Sequence, residues 1–190
     1  MTTRGEGAAP AVVRRVDPDR RSRIIDAALD VIAAEGVAGT SHRKVAAAAD
    51  VPLGSMTYHF TGMDDLLREA FTRFADRVAD RFDSRMASIH TRDDALSAVA
   101  ANVTDDIYAE PDDLVLTHEL YTLAARDPAF RDITERWMGR TRSVLEQQFD
   151  PLTARLLDAL IEGLTIHRAL DRVPADADAV IVAIRRIARA

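Results

Sequence analysis

The chain of 190 residues contains no cysteine, which excludes disulfides, thiolate metal centres and cysteine nucleophiles. Long hydrophobic runs are missing too. The longest, residues 179–184, falls far short of the roughly 20 apolar residues that a bilayer-spanning helix needs. Arg4, Arg14 and Arg15 lead into no apolar segment, so a secretory signal is not expected and the chain reads as cytoplasmic, without a membrane partner. Catalytic motifs are absent: there is no P-loop, no G-x-G-x-x-G, and Gly54-Ser55 lacks the rest of a nucleophile elbow. The five histidines (42, 59, 90, 118 and 167) never fall at H-x₃-H or H-E-x-x-H spacing. No metal, cofactor or enzymatic activity is therefore expected. No stretch sustains strand-like alternation, and no proline interrupts a helical pattern.

What is present is an all-α chain of ordinary globular composition, 47% apolar and 29% charged. Its net charge of −6 is unevenly spread, +1 over residues 1–60 and −7 over the remainder. A less acidic N-terminal segment on an acidic body suits a local nucleic-acid surface, because phosphate attraction acts over a Debye length of about 8–10 Å. Residues 1–16 lack periodicity and read as a disordered arm. Asp17-Pro18, Asp127-Pro128 and Asp150-Pro151 each read as an Asp cap followed by proline in the first helical turn.

Nine helices are expected. The first spans about 18–35, with Ile25, Ala28, Leu29 and Ile32 on one face and Gly36 as its stop. Two short helices follow at about 42–49, capped by Ser41, and 52–59. A long helix covers about 63–89, with Leu67, Phe71, Phe74, Val78, Phe82 and Ile89 as its apolar stripe. Its other side carries Arg73, Arg77, Arg81 and Arg85 among Asp76, Asp80 and Asp83, either a solvated, self-paired face or a phosphate-facing stripe. Further helices are placed at about 92–109, 112–125, 129–148, 151–171 and 176–188.

Residues 36–60, GVAGTSHRKVAAAADVPLGSMTYHF, are the most informative segment. Val45, Ala46 and Ala49 form a small apolar face that lets two helices cross closely. Asp50 stands where the chain reverses, and Asp tolerates the left-handed conformation. Val51 and Met56 are placed to plug the core beneath the crossing. Gly54 permits close backbone approach, Ser55 and Thr57 offer short hydrogen-bonding groups, and Tyr58 and His59 carry polar tips suited to phosphates. Together these features describe a helix-turn-helix whose second helix enters the major groove.

From RIIDAALDVIAAEG (23–36) through TSHRKVAAAADV (40–51) to GSMTYHF (54–60) and DDLL (64–67), the chain resembles the TetR family of bacterial transcriptional regulators. The resemblance implies an N-terminal DNA-binding unit over 17–62 and a helical effector-binding and dimerisation unit over 63–190. It implies a homodimeric repressor released from double-stranded operator DNA by a small-molecule effector. The alternative is a DNA-binding regulator or activator without an effector, gated by a protein partner; a third reading is an α-helical enzyme or interaction module with a degenerate motif. Carried over by position, Ser41 matches the cap, Arg43 a base- or phosphate-reaching residue, Leu53, Ser55 and Thr57 base-facing positions, and Tyr58 and His59 backbone clamps. His42 reads either as a base contact or as a partly buried core residue, and Leu53 either as a thymine-methyl contact or as packing. The chain departs from the pattern at Pro52, Leu53 and Met63, where more polar or basic residues are usual, and at Lys44, where an acid would close a capping box. An effector cavity implied among the later helices has Phe74, Tyr108, His118, Tyr121, Trp137 and Met138 as candidate lining, each equally readable as core. A four-helix dimer interface would use Leu152, Leu156, Leu160, Leu164, Ile181 and Ile184.

Overall fold

The computed structural model describes residues 18–106, 110, 112–173 and 176–189. These form nine α-helices and no strand: α1 (Arg20–Gly39), α2 (His42–Ala48), α3 (Gly54–His59), α4 (Met63–Met86), α5 (Arg92–Ala101), α6 (Asp113–Ala124), α7 (Pro128–Leu145), α8 (Pro151–Leu170) and α9 (Ala177–Ala188). The expected arm at 1–16, with Arg14 and Arg15, and Tyr108 lie outside the described residues.

Local chemistry sets most boundaries. Gly36 adopts φ 70°, breaking α1 as its position predicts, and a single further turn carries the chain to Gly39. A β-carbon at Gly36 would stand 2.7 Å from Glu119 Oε1 of α6, so glycine there also admits a neighbour. Asp127 and Asp150 cap α7 and α8 by accepting backbone N–H bonds, each followed by proline in the first turn. Asp17, expected as a cap, lies outside the described residues; α1 begins at Arg20 with Asp19 at its cap position and no side-chain cap bond. Three helices end earlier than expected. α4 stops at Met86, leaving Ile89 beyond its end, α7 stops at Leu145 rather than near 148, and α5 gives way after Ala101 to a π-helical turn, Asn102–Asp106.

Packing divides into two cores. The first joins Ile24, Ile25, Ala28, Leu29 and Ile32 of α1 to Val45, Ala46, Met56 and Phe60, and continues into Leu67, Phe71 and Phe74 of α4, Leu116 and Leu120 of α6, and Phe130 and Ile133 of α7. The second gathers Phe82 and Met86 of α4, Leu96 and Val99 of α5, Leu145 and Phe149, Leu157 and Ile161 of α8, and Val180 and Ile184 of α9. Among the described residues only α4 and α7 contribute to both, so they are the beams along which one core is tied to the other. Burying each of these larger side chains contributes about 1.5–3 kcal/mol before entropy is counted.

Candidate functional site

The reading end is built on backbone geometry. Ser41 is extended and its hydroxyl accepts the Lys44 N–H at 3.4 Å, starting α2. Lys44, in place of the acid that would complete a capping box, instead pairs with Glu35 and donates to the Gly39 carbonyl at 2.7 Å. It thereby closes the end of α1. The reversal after α2 is a Schellman turn: Val51 N–H bonds to the Ala46 carbonyl at 3.0 Å and Asp50 N–H to Ala47 at 3.2 Å, with Asp50 at φ 51°. Pro52 and Leu53 then form a tight turn, Ser55 and Met56 N–H bonding to their carbonyls at 2.8 and 3.0 Å, so regular α3 begins at Gly54 rather than 52.

This geometry sorts the predicted groove residues. Arg43, Leu53, Gly54, Thr57 and Tyr58 are exposed, Tyr58 by 83%. A β-carbon at Gly54 would meet nothing within 4 Å, so the surface there is open to close approach. Thr57 donates to the Gly54 carbonyl at 3.2 Å, which leaves its methyl and oxygen lone pairs outward. His59 is half-buried, its ring edge-on to Tyr58 at 4.8 Å. Ser55 is a correction: only 8% exposed, it faces the core beside Met56 and is not available to a base. His42 is half-buried with Nε2 enclosed and unbonded, which favours its packing role over base contact.

Most of the charged side of α4 binds other helices, while Arg68 pairs with Asp65 on α4 itself. Arg73 bonds Ser22 and Asp26 of α1, the latter at 2.7 Å, and Glu69 pairs with Arg21. Arg77 and Arg81 converge on Asp113, whose carboxylate is 1% exposed at the start of α6. Asp80 and Asp83 hold Arg140 of α7, and the bonds to these two carboxylates push the Arg140 pKa up. At the start of α4, the Thr61 backbone N–H bonds Asp65 at 3.0 Å and holds that carboxyl below its ordinary pKa.

A cavity of about 80 Å³ lies at the seam of the two cores, between α4, the π-helical turn, α6, α7 and α8. Of the candidate effector residues Tyr121, Trp137 and Met138 line it, with Val78, Phe82 and Ile161 completing the apolar wall. Phe74 does not; it is fully buried behind Trp137, ring centroids 5.8 Å apart. His118 is also a correction, lying on the outer surface of α6 with Nδ1 2.8 Å from the Leu114 carbonyl oxygen. The polar lining was missed by sequence reasoning: Arg81, Asn102, Thr117, Thr141, Asp158, Glu162 and Thr165. One signal was legible, two acids at i,i+4 spacing (Asp158 and Glu162) flanking the apolar Ile161 of α8. Burial pushes the Asp158 carboxyl above its ordinary pKa, against the lowering effect of a 3.0 Å bond from Arg142.

The outer faces of α8 and α9 are apolar. Leu152 is 67% exposed, Leu156 and Val182 are exposed, and Leu160, Leu164 and Ile181 are half-buried. Ile184, expected beside them, is fully buried in the second core and offers nothing to a partner. Among the described residues no cluster of three or more His, Asp or Glu side chains is arranged to hold a metal, and no helix is long and apolar enough to cross a membrane.

Comparison with known proteins places this geometry. Residues 24–70 match the profile of bacterial regulatory proteins of the tetR family, and residues 90–190 match the tetracyclin repressor-like C-terminal domain. The structure of SCO7518 from Streptomyces coelicolor A3(2), assigned as a transcriptional regulator, is 55% identical, covers 91% of this chain and 100% of its own, and superposes with a TM-score of 0.86. The multidrug binding protein EbrR, solved with imidazole, is 34% identical with a TM-score of 0.74, covering 90% of this chain and 96% of its own. The HTH-type transcriptional regulator CymR of Pseudomonas putida is 29% identical over 140 residues, 72% of this chain and 68% of its own.

Proposed function

Since the chain belongs to the tetR family of bacterial DNA-binding transcriptional regulators, a family of non-enzymes, we propose that it acts in the cytoplasm as a homodimeric repressor that leaves its operator when a small molecule occupies the seam cavity. The observation that carries this reading is Arg81. It lines the cavity and simultaneously holds the buried Asp113, so an occupant that displaces it acts on the α4–α6 joint. From there α4 runs to Met63, next to the recognition helix. A small tilt of α4 would change the spacing of two recognition helices, which must match a turn of DNA or a multiple of it. EbrR has been solved with ethidium, proflavin and malachite green as well as imidazole, so a related chain binds small molecules, which supports an effector for this one.

In this reading Arg43, Leu53, Thr57 and Tyr58, with His59 at the edge, meet the operator, and the exposed stripe of Leu152 and Leu156 pairs with its symmetry mate. The division into a DNA-binding unit over 17–62 and a sensing unit over 63–190 belongs to the same proposal. Sedimentation of Leu156→Arg is expected to give monomers that have lost operator affinity; a persistent dimer would sink the interface. Operator affinity is expected to fall steeply between 50 and 200 mM salt, as phosphate neutralisation requires. The alternative of a regulator gated by a protein partner draws on the cavity's size, since pockets for drug-sized ligands run to about 300–1,000 Å³ and this one must open to reach that. A thermal-shift screen that raises the melting temperature with small molecules decides for the effector.

A further inference from the structure

Resting on the effector-gated reading, we infer that the seam cavity takes an organic cation with a flat aromatic body, its charge neutralised by Glu162 and its body held against Trp137. The argument is a census of which polar groups around the cavity are already used. Arg81 is committed to Asp113, and Arg142 to Asp158 at 3.0 Å, so both guanidinium groups near the wall have carboxylate partners. The threonine hydroxyl hydrogens are spent on helix carbonyls: Thr117 on Asp113 at 2.7 Å and Thr165 on Ile161 at 2.6 Å. A hydroxyl so engaged can still accept a hydrogen bond but not donate one.

Two groups remain uncommitted. The Glu162 carboxylate lines the cavity with no hydrogen bond or ion pair to any described residue. The side-chain amide of Asn102, only 6% exposed and at the start of the π-helical turn, also lines it without a hydrogen bond. Its polar atoms are not sealed off, so they stay open to the N–H groups of an occupant, and π-helical turns inside helical segments recur at functional sites. The free chemistry is thus one carboxylate, one amide and several acceptor lone pairs: a lining that accepts more than it donates. An anionic ligand would meet Glu162 with no free cation to offset it. A neutral hydrocarbon would leave Glu162 and Asn102 unsatisfied. A cation bearing N–H groups satisfies both, and the tilted Trp137 and Tyr121 rings, 6.2 Å apart, give it the π-faces that attract positive charge.

Trp137 is the chain's sole tryptophan, so its fluorescence reports occupancy of the cavity directly. The full-length protein is titrated with ethidium, whose charge is permanent, with phenanthridine, its neutral ring system at pH 7.5, and with an aromatic sulfonate of similar area. Each titration is run with and without operator DNA. The expected result is saturable quenching by ethidium, at least tenfold weaker binding of phenanthridine, and no saturation by the sulfonate. Glu162→Gln, a near-isosteric change on a half-exposed residue, is expected to weaken ethidium about tenfold and leave phenanthridine unchanged. Circular dichroism of the variant checks that its fold is intact. Equal binding of the three probes, or an unchanged ethidium affinity in Glu162→Gln, overturns the cation assignment. If the neutral or anionic probe binds and releases the operator, effector gating stands while the cation assignment falls. If none of the three quenches Trp137, the cation assignment falls as well. The thermal-shift screen then tests gating separately.

Discussion

The helix-turn-helix end and the cavity seam are built on opposite principles. Around α2 and α3 nearly every decisive feature is local: the Schellman bonds from Val51 and Asp50 span five and three residues, and Ser41 caps its own helix. At the seam, each wall comes from a different helix, and Asn102, Trp137 and Glu162 are far apart in sequence. The first can be specified by a short segment and then borrowed by many bodies. The second exists only when two cores have closed around it, so its chemistry varies with substitutions on any of five elements.

The largest test of this contrast concerns whether the two ends fold as one. Phe71 is fully buried and stacks edge-on with Phe130 at 6.2 Å in the core that also holds α1 and α2. Phe71→Ala is expected to cost about 3–5 kcal/mol in urea unfolding and to loosen reading end and body together. Loss of only the helix-turn-helix signal, with the body's transition unmoved, would show that the shared core does not couple them. Asp113→Asn comes next. It removes the charge on which Arg77 and Arg81 converge, and because both arginines are partly exposed and can rehydrate, the expected loss is about 1–3 kcal/mol in the same assay. An unchanged urea midpoint would mean the clasp contributes nothing to stability.

Arg43→Ala should leave folding stability within about 0.5 kcal/mol, since Arg43 is exposed, and weaken operator binding by about 1–3 kcal/mol. Binding isotherms on the operator and on unrelated DNA separate a base contact, which loses specificity, from a phosphate contact, which weakens both alike. The smallest effect is a pH dependence at the seam. Because burial raises the Asp158 pKa, the native state takes up this proton before the unfolded chain does. Its contribution is therefore fully present below 3.8, the unfolded value, and is lost as pH rises through the higher native value. Comparing thermal melts of the protein and Asp158→Asn across that acid range should show the variant lacking this component. Parallel curves would mean Asp158 titrates normally.

Much of the fold was legible because it is written in short-range rules. The 3.6-residue periodicity of Ile25, Ala28, Leu29 and Ile32, the Asp-Pro caps at 127 and 150, and the breaks at Gly36 and Asp50 each follow from neighbours in the chain. The errors share a cause. Ser55, Phe74, His118 and Ile184 were placed by residue type and helical spacing, and spacing fixes a face without saying what lies against it. For Ser55 it was the first core, and for Ile184 the second. The arginines of α4 show the same limit. Their partners Asp26, Asp113 and the α7 contacts of the neighbouring acids come from elsewhere in the chain, and no local pattern announces them. Tyr121, Trp137 and Met138 were found at the cavity because bulky, polar-tipped groups are scarce in this chain; Asp158 and Glu162 were overlooked because acids on helices are common.

Gly36 of α1 lies against Glu119 of α6. Gly36→Ala would put a β-carbon on a left-handed backbone and against the Glu119 carboxylate, but that carboxylate is the free end of a half-buried side chain and can swing aside. The backbone therefore carries most of the cost. Glu119→Ala on α6, more than 80 residues downstream, is expected to restore little of the stability that Gly36→Ala loses.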